Sequence, residues 1–445
     1  MRANAERDGE RDGERDAVSA ELSALLARLG ELAAQAEGPG DVTDAVRIDR
    51  IALLEEVRSG VAAAQHSEMV AFGRSQAARH QEQIASGRLD PAALGRGIAD
   101  QIALACRVSP SAGSRRLGVA RALHAELPAT RTLLRRGEIG EDLAERVVSE
   151  TRHLDPASRR RVDAQLATDG LDQLSPRRAA AAARRRAYEV DPAGYTARGR
   201  TARADRRVWL RPAPDTMSTL SGLLPVEQGV ACLASLRAHT DRLVAGGDGR
   251  ARDQIMADTL VERLTGQARA GDVDVEVNLV LPLDALLDPD TPATAEVVGH
   301  GPVPGRIARD LLADTAGRRW WRRLFTRPAA GLPGTGPLAG PLVGADPRRR
   351  RFDGVLADLI RLRDGARCRD PYCDAPIRHI DHVDRVRAGG PGIFTNGRGV
   401  CARGNYVREM PGWRVETVDD GLTGRPHTVR TTTPTGHAYT SRAGP

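Results

Sequence analysis

Asp381-His382, Asn396 and Asn405 are the residues of this chain whose types and spacing suit chemistry. The 445 residues include only four Asn and five Cys, yet two of the Asn and three of the Cys (Cys368, Cys373, Cys401) fall between positions 368 and 405. A histidine titrates near neutral pH and can take a proton from water. A carboxylate directly before it can hold a cation at the same strand end, because successive side chains leave a strand in opposite directions. That pairing suits phosphodiester hydrolysis, in which water is deprotonated and a cation offsets charge on the phosphate and the leaving oxygen. Asn405 is the candidate second oxygen ligand, in a helix predicted over 400–410 from which Arg403 and Arg408 would reach nucleic-acid phosphates. Asn396 follows Gly389-Gly-Pro-Gly, where its amide would pin the loop carrying His382. Plainer readings stand beside these: a structural His382, an Asn396-Gly397 turn, and Asn405 as a helix-surface amide.

Such groups need a scaffold, and the apolar pattern outlines one. Residues 1–16 carry a repeated, charged ERDG unit and read as a disordered tail. Leu22, Leu25, Leu26, Leu29 and Leu32 follow the spacing of one buried helical face, and Ile48, Ile51, Leu54, Val57 and Val61 mark a second long helix. Further helices are expected over 92–106, 111–126, 129–136, 140–152, 156–168 and 175–188, with Ser111 and Ser175 at or near N-caps. The alternation of Val273, Val275, Val277, Leu279 and Leu281 predicts a half-buried strand, with 207–211 as its partner. Helices are expected between them, over 225–245 and 250–268. The Gly/Pro-rich stretch 328–347 reads as an interdomain linker. This divides the chain into the tail 1–16, a mainly α domain with a small β element over 17–327, the linker, and a C-terminal unit over 348–445 with strands near 413–417 and 427–433.

The C-terminal window resembles the HNH endonuclease signature of the ββα-metal type. It also resembles high-GC bacterial proteins in which an HNH module follows a long helical domain of unknown function. Cys368 and Cys373 match the first cysteine pair, Asp381-His382 the Asp-His pair, Gly389-Gly390 the turn, Asn396 the middle Asn, and Cys401 the third cysteine. Asn405 matches the last metal-binding position, and Gly412-Trp413 fits as well. The resemblance implies an α+β module cutting DNA with a divalent cation such as Mg2+, His382 and Asn396 being catalytic and Asp381 and Asn405 holding the metal. The fourth zinc ligand of the pattern falls on Gly404. Structural zinc is almost always four-coordinate, so the expectation is a weakened or absent zinc site, or one completed by another residue, His379 being nearest in sequence.

Composition narrows the alternatives. Aromatics are 3% of the chain, so its core must be built from Ala, Leu and Val, which favours packed helices. All 66 basic residues are Arg, a bias that GC-rich coding produces, and the net charge of +7 points only mildly to a polyanion. No apolar run is long enough for a membrane span, and the charged N-terminal stretch lacks a secretory h-region, so a cytoplasmic location is expected. Cys106 and Cys232 read as buried small hydrophobes, His427 and His437 as surface residues, and the 348–351 arginine run as a solvated linker end. Trp320-Trp321 suits either a core cap or an exposed patch. Two other functions compete: a nuclease-derived DNA-binding protein without turnover, and a helical protein-interaction scaffold.

Overall fold

A computed structural model describes residues 17–37, 42–270, 279–280, 294–297, 301–314, 352–422 and 425–443. The tail, the linker, Trp320-Trp321, the 348–351 run and most of the 272–281 strand lie outside the described residues. The chain starts with α1 (Ala17–Glu37) and the long α2 (Asp44–Ala85), followed by α3 (Ile98–Ala105) and α4 (Pro110–Ala125). Next come α5 (Pro128–Arg135), α6 (Glu141–Thr151), α7 (Pro156–Thr168), α8 (Pro176–Val190) and α9 (Pro192–Ala202). Five of these helices, α4, α5 and α7 to α9, begin with proline, whose fixed φ suits the first turn and whose missing N–H would have no intrahelical partner there. Ser109, not Ser111, caps α4, and Ser175 occupies the α8 cap position without a side-chain hydrogen bond.

The bundle core joins Leu123, Leu127, Leu134, Val147, Val162 and Leu166 to the small face of α8, Ala179, Ala183 and Ala187. Alanine at every fourth position lets α8 lie close against α6 and α7. The first turn of α5 has no cap of its own; Asp163 of α7 accepts its Ala129 and Thr130 amides at 2.7 and 3.0 Å. The apolar faces of α1 and of the first part of α2 differ from expectation. Leu22, Leu25, Leu26 and Leu32, with Ile48, Ile51, Leu54 and Val61, are exposed. All but Val61 precede the point near Glu56 where α2 passes Gly137 so closely that a Cβ there would strike the α2 backbone.

A hairpin follows, β1 (Arg207–Pro212) with β2 (Ser218–Leu223), and then α10 (Val226–Ala245) and α11 (Arg252–Thr265). Among the described residues the partner of β1 is its sequence neighbour, β2. The described part of the 272–281 strand, β3 (Leu279–Val280), pairs with β4 (Thr294–Val297), which pairs with β5 (Gly301–Pro304) ahead of α12 (Gly305–Asp314). Cys232 is exposed because the apolar side of α10 is largely uncovered, and Cys106, at the end of α3, is only half-buried. Among the described residues no helix is long and apolar enough to cross a membrane.

The C-terminal part comprises α13 (Gly354–Arg363), the antiparallel pair β6 (His379–His382) and β7 (Gly397–Val400), α14 (Ala402–Val407), and a three-stranded sheet. That sheet has the order β10 (Ala438–Arg442), β9 (Thr428–Thr432), β8 (Arg414–Asp419). The segment from α14 to the start of β8 docks on the helical part: Val407, Met410 and Trp413 pack against Leu89, Ala93 and Leu104 in one buried cluster.

Candidate active site and metal-binding corner

The candidate site is built on the short hairpin of β6 and β7, in register Asp381 opposite Arg398 and His382 opposite Gly397. The end of α13 fixes β7. Arg363 donates to the carbonyls of Phe394 (2.8 Å) and Gly397 (2.6 Å), while Asp364 accepts the Gly399 amide at 2.7 Å. Glycine is needed on both sides of Arg398 because a Cβ at Gly397 would strike Ile360, and one at Gly399 would strike Ile377.

His382 is half-buried at the end of β6, its ring tilted on Phe352 with centroids 4.3 Å apart. Its Nε2 is shielded from solvent and has no hydrogen-bond partner among the described residues. Burial lowers its pKa, Asp381 opposing and Arg408 reinforcing the shift, so the ring is neutral and able to accept a proton near pH 7. Asn396 is buried and holds the connecting loop at three points. Its Oδ1 accepts the Asp384 amide (2.7 Å), and its Nδ2 donates to the carbonyls of Asp384 (3.1 Å) and Pro391 (2.8 Å).

Asp381 is flanked by cations. Its Oδ2 pairs with Nη1 of Arg408 and lies 3.6 Å from Nη2 of Arg398. Arg408 is buried and also donates to the carbonyls of His382 and Val383. The structure therefore places Arg408 as an internal clamp between α14 and β6, facing protein oxygens where a phosphate contact was expected. Arg403 is engaged as well: it forks onto both carboxylate oxygens of Asp100 in α3 at 2.6 and 2.8 Å and reaches Ser114 at 2.7 Å. Asn405 is half-buried on α14, with no side-chain hydrogen bond among the described residues. His427, expected at the surface, is buried, and its Nε2 meets the Thr395 carbonyl at 2.9 Å. Burial lowers its pKa to about 4.

Cys368, Cys373 and Cys401 converge at the other end of the hairpin, buried, with their sulfurs all within 4.8 Å of one another. Three thiolates so placed suit a soft or borderline cation such as zinc. Cys401 is the N-cap of α14 and accepts the Gly404 amide at 3.3 Å. Hydrogen bonds from the Cys368 and Cys373 thiols, and from the Gly404 and Arg403 amides, hold it well below the usual thiol range. His379 stands exposed at the start of β6 and takes no part in the cluster. Two groups missed in the sequence connect this corner to the Asp381 end. Fully buried Arg398 donates to Asp370 Oδ1 at 2.7 Å and faces Asp381 from the same guanidinium. Their only signal was a carboxylate between two cysteines and an arginine between two glycines.

One protein-family model, a domain of unknown function (DUF222), matches residues 60–316, more than half of the chain, and the chain belongs to that family. The match covers the helical part from within α2 onward, leaves out α1, and stops short of the candidate site. No curated protein and no solved structure matches.

Proposed function

We propose that this DUF222 family member is a metal-dependent DNA endonuclease whose C-terminal module hydrolyses phosphodiester bonds in the manner of HNH enzymes. The observation that carries the reading is His382: a half-buried imidazole of lowered pKa at a strand end, its Nε2 without a partner among the described residues, beside Asp381 and a loop tied down by Asn396. The β-β-α order of β6, β7 and α14 supports it, as does the general co-occurrence of DUF222 domains with HNH nucleases.

In this reading His382 takes the proton from the attacking water, and its depressed pKa keeps it ready to do so below the ordinary histidine range. Asn396 keeps the loop after β6 in place during turnover. Asp381 and Asn405 offer oxygen donors, the kind a hard divalent cation such as Mg2+ prefers, and would hold it there. That cation supplies charge stabilisation at the phosphate and the leaving oxygen. Arg408 shares Asp381 and orients its carboxylate from behind.

Plasmid nicking with Mg2+ or Mn2+, wild type beside His382→Ala, tests the proposal. The variant is expected to lose about 10²–10⁴-fold in rate and to keep its DNA affinity, because a general base acts mainly in the transition state. Equal cutting by both proteins would sink the assignment. Binding without cutting by the wild type would favour the DNA-binding reading, to which the arginine pairing of Asp381 lends weight. The exposed apolar faces of α1, α2 and α10 lend theirs to a scaffold role for the helical part.

A further inference from the structure

The structure assigns the fourth ligand of the cysteine site to Asp370, making it a three-thiolate, one-carboxylate zinc site. This inference stands apart from the nuclease reading, since it concerns a structural metal remote in role from His382. Asp370 lies in Cys368-Arg-Asp-Pro-Tyr-Cys373, between two of the three thiols. Its Oδ2 is 3.7 Å from Cys368 Sγ, and Cys373 Sγ is 4.0 Å from Cys401 Sγ. Zinc bonds of about 2.0–2.3 Å imply tetrahedron edges of roughly 3.5–3.8 Å, so both separations are close to ligand-to-ligand distances. Asp370 Oδ2 lies outside the 4.8 Å span of the three sulfurs, and ligation calls for a side-chain rotation toward Cys373 and Cys401.

Gly404 makes room for this carboxylate. A Cβ built on Gly404 would fall on Asp370 Oδ2 at about the length of a carbon–sulfur bond. The carboxylate oxygen thus stands next to where a side chain from the first turn of α14 would start, the position from which a Cys-x2-x pair would complete the site. A ligand from position 404 and a ligand from position 370 exclude one another, and this chain has the second. A carboxylate carries the same formal charge as the thiolate it replaces, and zinc accepts carboxylate oxygen. The other oxygen, Oδ1, accepts from fully buried Arg398 at 2.7 Å. An outer-sphere donor of that kind holds a ligating group in place.

Zinc content and cobalt substitution of the full-length protein test the assignment, with folding followed by circular dichroism. The wild type is expected to carry one zinc per chain, and its cobalt form to show the charge-transfer band of three thiolates. Asp370→Asn should weaken metal affinity by at least about 10–100-fold, the loss typical of even an outer-sphere partner. Asp370→Cys should keep the metal and raise the charge-transfer intensity from three thiolates to four, which tests the ligand without removing it. Gly404→Ala should also weaken binding by displacing the carboxylate, although alanine is the better helix former. A wild type that binds neither zinc nor cobalt overturns the proposal. Undiminished affinity in folded Asp370→Asn, or an unchanged cobalt band in Asp370→Cys, overturns it equally. None of these readouts depends on DNA cleavage, so failure here and failure of the nuclease proposal are separable.

Discussion

The helical part and the C-terminal module are held together by opposite means. In the bundle the largest fully buried side chains are aliphatic, among them Leu123, Leu127, Leu134 and Leu166, with a run of alanines beside them. In the module the largest fully buried side chain is Arg398, and Arg363, Arg369 and Arg408 are buried around it. A leucine core gains from every neighbour that excludes water, in rough proportion to area, and is indifferent to direction. An arginine core gains only when each guanidinium meets its oxygens at the right angle, and a partner removed leaves a charge stranded. The first kind of core makes a stable platform. The second fixes directions, which is what the placement of Asp381, His382 and Asp370 requires.

The largest effect is expected where that second core is cut. Arg408→Met removes the clamp on Asp381 and on two β6 and loop carbonyls, and should destabilise the module by about 3–5 kcal/mol. Urea unfolding followed by Trp413 fluorescence measures it; a loss below about 1 kcal/mol, the value of a surface pair, would erase the distinction between the two cores. In the bundle, Leu123→Ala should cost about 2–5 kcal/mol through its cavity, whereas Leu26→Ala, at a leucine 72% exposed on α1, should stay within about 0.5 kcal/mol. Equal losses at the two leucines would show that α1 is covered in solution. The module should respond to mild acid. Unfolded His427 binds a proton as pH falls through about 6.5, but the folded residue resists until about 4. Stability is therefore full above the unfolded value and is lost as pH drops through that window, by roughly 3 kcal/mol for a difference of this size. Chemical denaturation at pH 7.5, 5.5 and 4.5 should reveal the loss in the wild type and a flatter profile in His427→Gln.

What could be read in the sequence follows the same division. Helix positions were legible because periodicity and proline starts are local: the stretches 140–152 and 156–168 became α6 and α7. Burial was not, because Leu26 and Leu123 sit in similar patterns and only a covering element distinguishes them. At the candidate site, Asp381, His382, Asn396 and the three cysteines stood out by rarity and spacing. The roles of arginines did not stand out, since an arginine facing a phosphate and one facing a carbonyl look alike in a row of letters. Arg403 and Arg408 were read as nucleic-acid contacts, and the structure engages them with Asp100 and Asp381. His427 was read as a surface residue for the same reason: its partner, Thr395, comes from a distant loop. Gly404 was legible as a missing ligand, and Asp370 as its counterpart only once the fold had brought them together.

The fork of Arg403 onto Asp100 spans 303 positions of sequence, and this has a consequence for biosynthesis. At roughly 5–20 residues per second, the ribosome needs about 15–60 s to pass from one to the other. Throughout that interval Leu89, Ala93 and Leu104 have emerged, while Val407, Met410 and Trp413, which cover them in the finished protein, do not yet exist. The nascent helical part therefore passes through a period with a sticky, uncovered flank, and a chain that terminates early keeps it permanently. Translation pauses and premature stops upstream of position 400 should make this protein a chaperone client, even though every helix of its bundle has already been synthesised.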